Sequence, residues 1–282
     1  EAVAEAGGRS VNPPERSRRF TDKAIAHSEL IQHGFGVPET VLLRPDVADR
    51  PLTNEERAYL RLGEPGSALF VKPANGFGQH GVVRVEQTDP DSLARLVAEA
   101  NRSCPDDTLL LQREVTSPTL RDGDGIERPA YFRVLYCLGE IIPYWWSRAA
   151  LEVGEPSYRR LTAIECRRHG LWPVLAYVRD LAELCGLDWF STEVCLSRGP
   201  QRSRYTVLGF EDGSDGRVEV AWPVLAIDYV NDQCDVDVQS RWLGAPPDAA
   251  VYHLADRFAQ AAASEKRRLA VPARPLRLFA AA

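Results

Sequence analysis

Lys72 closes an apolar stretch, Leu69 to Val71, and is followed by Pro73 and a loop that carries Gly76, Gly78 and Gly81. A lysine placed there can reach a phosphate. Glycines permit positive φ and let backbone N–H groups approach an anion closely. At ~4 Å a lysine–phosphate pair is worth about 4 kcal/mol in an effective dielectric of ~20, before desolvation. An ordinary hairpin loop with turn glycines has the same local look. Scarcity separates the two readings. Of 34 basic residues only Lys23, Lys72 and Lys266 are lysines, the rest being arginines. The two are not interchangeable at a compact phosphate site, so each remaining lysine carries information.

Other reactive groups are sparse. The six cysteines (104, 137, 166, 185, 195 and 234) form no C-x-x-C pair, which speaks against a zinc ribbon or a thioredoxin motif. Cys166 and His169 have a C-x2-H spacing with no second pair nearby, so a surface helix or loop is the plainer reading. There is no G-x-S-x-G elbow and no convincing Cys–His pair. The chemistry this chain offers is charge placement, not a protein nucleophile.

Turn chemistry and periodicity give the elements that must position these groups. Residues 1–20 read as an arm. Thr21 or Asp22 caps a helix with Ala24, Ile25, Leu30 and Ile31 on its apolar face, stopped by Gly34. A strand follows Val37-Pro38, a short helix covers 53–62, and strands flank the glycine loop at 69–73 and 82–85. A helix from Asp89-Pro90 to Arg102 precedes a strand at 108–112. Residues 116–130 read as a loop. Tyr131–Leu138 and Ile141–Trp146 form a hairpin turning at Gly139-Glu140, and 149–170 reads as irregular. A helix over 171–185 closes at Gly186. Strands follow at 189–196, 205–211 and 218–230, then a helix over 250–269.

The chain has 282 residues, 44% hydrophobic and 26% charged, enough for a real core. At about 150 residues per domain the length suits roughly two domains. A net charge of −6 argues against a general nucleic-acid binder, though it leaves local basic clefts open. Apolar stretches such as Val218–Tyr229 are broken by Glu219, Pro223 and Asp228, well short of the ~18 residues a membrane span needs. No signal peptide is visible, and a reduced, cytoplasmic protein is the plain expectation.

The order of these pieces resembles the ATP-grasp superfamily. The likeness covers about residues 21–240. Asp22-Lys23 followed by GFGVPET, then VKPANGFGQHGVV, then LLLQREV, and finally GLDWFSTEV with VLAIDYVND occur in the family's order. The resemblance implies an α+β fold in which two subdomains hold ATP between their sheets, the preceding domain being absent or reduced. It implies boundaries at 1–20 (arm), 21–115 (subdomain with the glycine loop), 116–245 (subdomain with the metal site) and 246–282 (helix and tail).

It also implies roles. Lys23 and Lys72 would contact nucleotide phosphates. Gln112 would lie near the adenine amino group, with the backbone of Arg113 and Val115 at the base edge. Asp122 is a candidate for the ribose, against a solvated turn aspartate. Glu193, Asp228 and Asn231 would hold magnesium, which needs hard oxygen ligands, with Asp232 and Asp235 as further candidates. The family pattern has Asp on one strand and Glu-x-Asn on the next. Here the acids are exchanged, and Asn231 lies three residues on, so it shares a strand face with Asp228 only past the strand end or across a bulge. Arg133 and Arg148 would steady the γ-phosphate and the tetrahedral intermediate. Trp145 and Trp146 could line a substrate pocket or pack the core, and the Arg159/Arg160 and Arg167/Arg168 pairs could meet an anionic substrate or only solvent.

The activity implied is an ATP- and magnesium-dependent carboxylate–amine ligase working through an acyl phosphate. Its substrates would be small molecules or peptides, with no nucleic-acid or membrane partner. A homodimer stays open, dimers being common. A kinase and a non-catalytic nucleotide-binding module are the alternatives.

Overall fold

A computed structural model describes residues 12–47, 50–64, 68–75, 81–85, 90–146, 158–214, 216–231, 256–257, 259–261 and 263. Two compact units, Glu1–Gln233 and Cys234–Ala282, make up the chain. In the second, the described residues of the helix expected over 250–269 are helical.

The arm ends in a helix, α1 (Pro14–Thr21). Asp22 then caps α2 (Lys23–Gln32), its carboxylate accepting the N–H groups of Ala24 and Ile25 at 2.9 and 3.0 Å. The buried face of α2 is Ala26, His27 and Leu30, while Ile25 and Ile31 are exposed. This corrects the expected face. At about 3.6 residues per turn, positions 26, 27 and 30 share one arc of the helix, whereas 25 and 31 fall outside it.

The first sheet contains β1 (Thr40–Leu43), β2 (Leu69–Pro73), β3 (Val83–Val85) and β4 (Leu109–Arg113), in the order β1-β4-β2-β3. All its pairings are antiparallel. Alternation sends Leu69, Val71, Leu109 and Leu111 into one core, with Leu93 and Val97 of α4 (Pro90–Ser103). A short helix, α3 (Asn54–Tyr59), opens with a Thr53–Glu56 capping box. The same alternation turns Lys72 and Gln112 to the opposite face.

A small hairpin of β5 (Thr119–Arg121) and β6 (Glu127–Pro129) occupies what the sequence suggested was loop. The second sheet comprises β7 (Tyr131–Cys137), β8 (Glu140–Trp146), β9 (Tyr158–Arg160), β10 (Trp189–Leu196), β11 (Thr206–Gly213) and β12 (Gly216–Asn231). Its order is β11-β12-β10-β7-β8-β9, antiparallel throughout. The β7–β8 turn is Leu138-Gly139, not Gly139-Glu140: Cys137 pairs with Glu140, and both turn residues have positive φ, 46° and 92°. A two-residue turn of that hand matches the strand twist, and glycine serves its second position. The segment read as irregular holds β9 and α5 (Ala163–Arg168), the latter opened by a second capping box, Thr162–Glu165.

Helix α6 (Trp172–Cys185), closed by Gly186, covers one face of this sheet. Val174, Tyr177, Val178 and Leu181 meet Phe132, Val134, Phe190 and Val194 in the main core. Each fully buried side chain of this kind stabilises the fold by about 1.5–3 kcal/mol. The opposite face carries Arg133 and Glu193. Near it the segment leading into β1 crosses β12: Gly36 bridges Leu225, and its carbonyl accepts from Ala226 N–H at 3.0 Å. A Cβ at Gly36 would stand 2.3 Å from the Val224 carbonyl oxygen, so only glycine allows this approach.

Candidate active site

Lys72, the residue before the end of β2, is engaged from both sheets. Its Nζ donates to Gln112 Oε1 at 2.7 Å, within the first sheet, and to the Ile227 carbonyl at 3.0 Å, on β12 of the second. Burial pushes the Lys72 ammonium down from its ordinary range, while Asp228 and Glu193 pull it back and Lys23 opposes them. Lys23 is brought here by its own backbone, whose N–H donates to the Ala74 carbonyl at 3.0 Å. Lys23 and Lys72 therefore share one neighbourhood. Gly81 stands at φ 72°, its Cβ position 3.1 Å from the Pro73 ring. Gly76 and Gly78 lie outside the described residues.

The acids come together through register. Glu193 pairs with Arg133 on one side and with Asp228 on the other, so all three stand in one row across β7, β10 and β12. Ser191 pairs with Asn231. Register shifts fall between Ser191 and Glu193 and between Glu193 and Val194, so β12 carries an extra residue on each side of Asp228. The first of these resolves the three-residue spacing. It returns Asn231, the last residue of β12, to the face that bears Asp228.

Arg133 forms an ion pair with Glu193 Oε1 and donates to Ser191 Oγ at 3.0 Å. Burial raises the Glu193 carboxyl above its ordinary range, against the pull of Arg133, and the neighbouring Asp228 charge raises it further. Two carboxylates forced together on a buried face, with an amide oxygen in the next row, are a donor set that suits a hard divalent cation. Among the described residues no group of three or more His, Cys, Asp and Glu gathers. A magnesium ion that takes its remaining ligands from water and phosphate needs no larger protein set.

Gln112 is buried, with Thr40, Lys72 and Tyr229 around its amide. The Arg113 N–H donates to the Glu39 carbonyl at 2.9 Å, so a base edge could use only its carbonyl. Val115 packs against Cys195, Leu225 and Ile227. Asp122 is neither solvated nor open to a ligand. It is wholly buried, bonded to Arg128 Nε at 2.6 Å and to the N–H groups of Asp124 and Ile126 at 2.9 Å each. It organises the β5–β6 turn. Trp145 lies in the core against Phe132, whereas Trp146 is half-buried on the Arg133 face, 4.9 Å from the Tyr131 ring. Arg159 is committed to Glu165 at 2.6 Å and to Asp124 at 3.1 Å. Arg148, Asp232 and Asp235 lie outside the described residues.

Sequence reasoning missed Ser191, Thr192, Tyr229 and His27. Thr192 Oγ1 holds the Asp228 carbonyl at 2.9 Å. Tyr229 lies beside Asp228 in sequence, and only the flanking bulges decide which way it points.

Two sheets, each backed by helices, thus enclose lysines from one side and an Arg–Glu–Asp row from the other. No protein-family model matches the chain. No curated protein matches it in sequence. Solved structures do match in three dimensions. The ATP-grasp ligase PsnB, complexed with precursor peptide PsnA2 and AMPPNP, aligns over 92% of this chain and 65% of its own, with a TM-score of 0.52 at 16% identity. The chain has the ATP-grasp fold. D-cycloserine synthetase DcsG aligns over 94% of this chain and 76% of its own, with a TM-score of 0.51 at 19% identity. The D-alanine–D-alanine ligase from Bacillus anthracis, complexed with ATP, aligns over 95% and 74%, with a TM-score of 0.55 at 14% identity. The fold class expected from the sequence is therefore the one observed, and the ATP-grasp arrangement accounts for two sheets meeting at Lys72. This chain spans less than two thirds of the length of PsnB. No helix among the described residues is long and apolar enough to cross a membrane.

Proposed function

We propose that this chain is an ATP- and magnesium-dependent ligase that joins a carboxylate to an amine, on a small molecule or a peptide. The observation that carries this reading is that Lys72, from the first sheet, bonds the Ile227 carbonyl of the second and feels the charges of Asp228 and Glu193 there. The structural neighbours, among them an ATP-grasp ligase complexed with a precursor peptide and a D-alanine–D-alanine ligase, agree with it.

In this reading Lys72 and Lys23 bind the nucleotide phosphates and offset their charge. Glu193, Asp228 and Asn231 hold magnesium, which when bound screens the phosphate oxygens. Arg133, kept in place by Glu193 and Ser191, steadies negative charge as the substrate carboxylate is converted to an acyl phosphate and then attacked by the amine. The protein contributes position and charge and supplies no covalent partner.

The test is thermal unfolding with and without Mg-ATP, on the wild type and on Lys72→Ala. A ligand at 100 times its Kd stabilises by about 2.7 kcal/mol, roughly 5–10 °C for a chain near this size. A shift that needs magnesium and is lost in Lys72→Ala supports the site and justifies screening acids and amines for ADP release. A shift indifferent to magnesium favours a nucleotide-binding module, and no shift at millimolar ATP sinks the nucleotide assignment.

A further inference from the structure

A buried chain of hydrogen bonds runs from α2 through both sheets to Lys72. His27 Nδ1 lies 2.6 Å from the Tyr229 hydroxyl. Gln112 Nε2 donates to that hydroxyl at 2.9 Å, and Gln112 Oε1 accepts from Lys72 at 2.7 Å. His27, Gln112 and Tyr229 are each at most 3% exposed. The resemblance gives roles to Gln112 and Lys72 and none to His27 or Tyr229.

Lys72 sets the direction of the bonds at Gln112. A lysine ammonium can only donate, so the oxygen of the Gln112 amide must face it. The Gln112 NH2 then points at Tyr229 and, more distantly, at Thr40 Oγ1, 3.5 Å away. The Thr40 hydrogen is committed to the Pro38 carbonyl at 2.9 Å, so Thr40 presents a lone pair to the amide. Tyr229 accepts from Gln112, and its hydroxyl also meets His27 Nδ1, which takes the Tyr229 hydrogen in the tautomer with its proton on Nε2. Burial lowers the His27 pKa to about 4, which keeps the ring uncharged at neutral pH.

A reversed amide would put two donors against the ammonium and leave the Thr40 and Tyr229 lone pairs without donors. A carboxylate at position 112 has no such polarity. A glutamine there works in one flip only, which Lys72 favours from one end and Tyr229 supports from the other.

We infer that Tyr229 and His27 are positioning residues that hold the Gln112 amide with its oxygen toward Lys72, and so fix the Lys72 ammonium between the two sheets. The functional consequence, tighter nucleotide binding, rests on the proposed reading of Lys72; the lock itself does not. His27 and Tyr229 act on Lys72 through Gln112.

The experiment is a double-variant cycle. ATP affinity is measured by calorimetry for wild type, His27→Leu, Gln112→Glu and the combination of both, with Tyr229→Phe as a second probe of the same link. Removing the His27 acceptor frees the Tyr229 hydrogen, which then draws the amide oxygen away from Lys72. His27→Leu is expected to weaken ATP binding about tenfold in the wild-type background, and about twofold or less in the Gln112→Glu background, where a flip changes nothing. A loss of packing alone would weaken both backgrounds equally, and that result overturns the inference. Isotope-labelled lysine gives an independent reading, because the chain has only Lys23, Lys72 and Lys266. The Lys72 side-chain nitrogen signal should move on His27→Leu far more with glutamine at 112 than in the Gln112→Glu background, without nucleotide present. Absence of ATP binding in the wild type would count against the proposed function, while the lysine spectrum would still decide the lock.

Discussion

Glu193 and Asp228 stand directly across the β10–β12 ladder from each other, with a bulge in β12 on each side of Asp228. In a regular ladder the two residues would share a face as well, but Asn231 would not join them. The bulges are what gather three oxygen donors from two strands. Glu193 is also bound to Arg133, so the two acids differ in what their loss would cost.

Asp228→Asn should leave the fold intact and keep stabilisation by ATP, but remove its dependence on magnesium. Glu193→Gln should also break the ion pair of Arg133, whose side chain is 8% exposed. Breaking a buried pair of this kind costs about 3–5 kcal/mol. Urea unfolding of both variants separates the two cases. Equal stability losses would show that Arg133 has other support.

Arg133→Lys preserves charge but not the fork that reaches Glu193 and Ser191 together. Turnover should fall about 100-fold while ATP affinity changes little, the signature of a group needed as charge develops. Product ADP is measured against substrate concentration once an acid–amine pair is known. A matching loss in ATP affinity would instead place Arg133 among ground-state phosphate contacts.

Much of this site was legible because its signals are local. Lys72 stood out by rarity, and alternation along Leu-Phe-Val-Lys-Pro settled which face it takes. The β12 bulges were legible only as a conflict, since Asp228 and Asn231 have the wrong spacing for one face. Which way the conflict resolves depends on pairing with β10, and pairing is not written in β12. The same limit hid His27 and Tyr229. Their contact joins positions 202 residues apart, and an apolar helix face with one histidine looks the same whether or not a hydroxyl meets it. Asp122 misled for the opposite reason. A turn aspartate in a run of glycines reads as solvated, yet Arg128 arrives from the returning strand and buries it.

His27 gives a pH prediction. Its folded pKa, about 4, lies below the ordinary 6.5. Between those values the unfolded chain binds the extra proton, so stability falls as pH drops from about 6.5 toward 4. The full term is about 3 kcal/mol. His27→Leu should flatten that part of the stability–pH curve. Chemical denaturation across the range checks it, and an unchanged slope would mean that His27 titrates near its ordinary value.

Glu165 should act in a lower window. Its carboxylate accepts from Thr162 N–H at 2.8 Å, Thr162 Oγ1 at 2.6 Å, Gly123 N–H at 2.7 Å and Arg159 at 2.6 Å. These bonds overcome the burial penalty and hold its pKa at about 2, below the ordinary 4.5. The stabilisation is complete above about 4.5 and is lost as pH falls toward 2, roughly 3 kcal/mol in all. Glu165→Gln should remove most of it at neutral pH, because an amide cannot accept all four donors and leaves Arg159 undercompensated. The same carboxylate caps α5 and ties it to the β5–β6 hairpin, so amide exchange should quicken in both elements together. Faster exchange in α5 alone would reduce Glu165 to a helix cap and detach the hairpin from it.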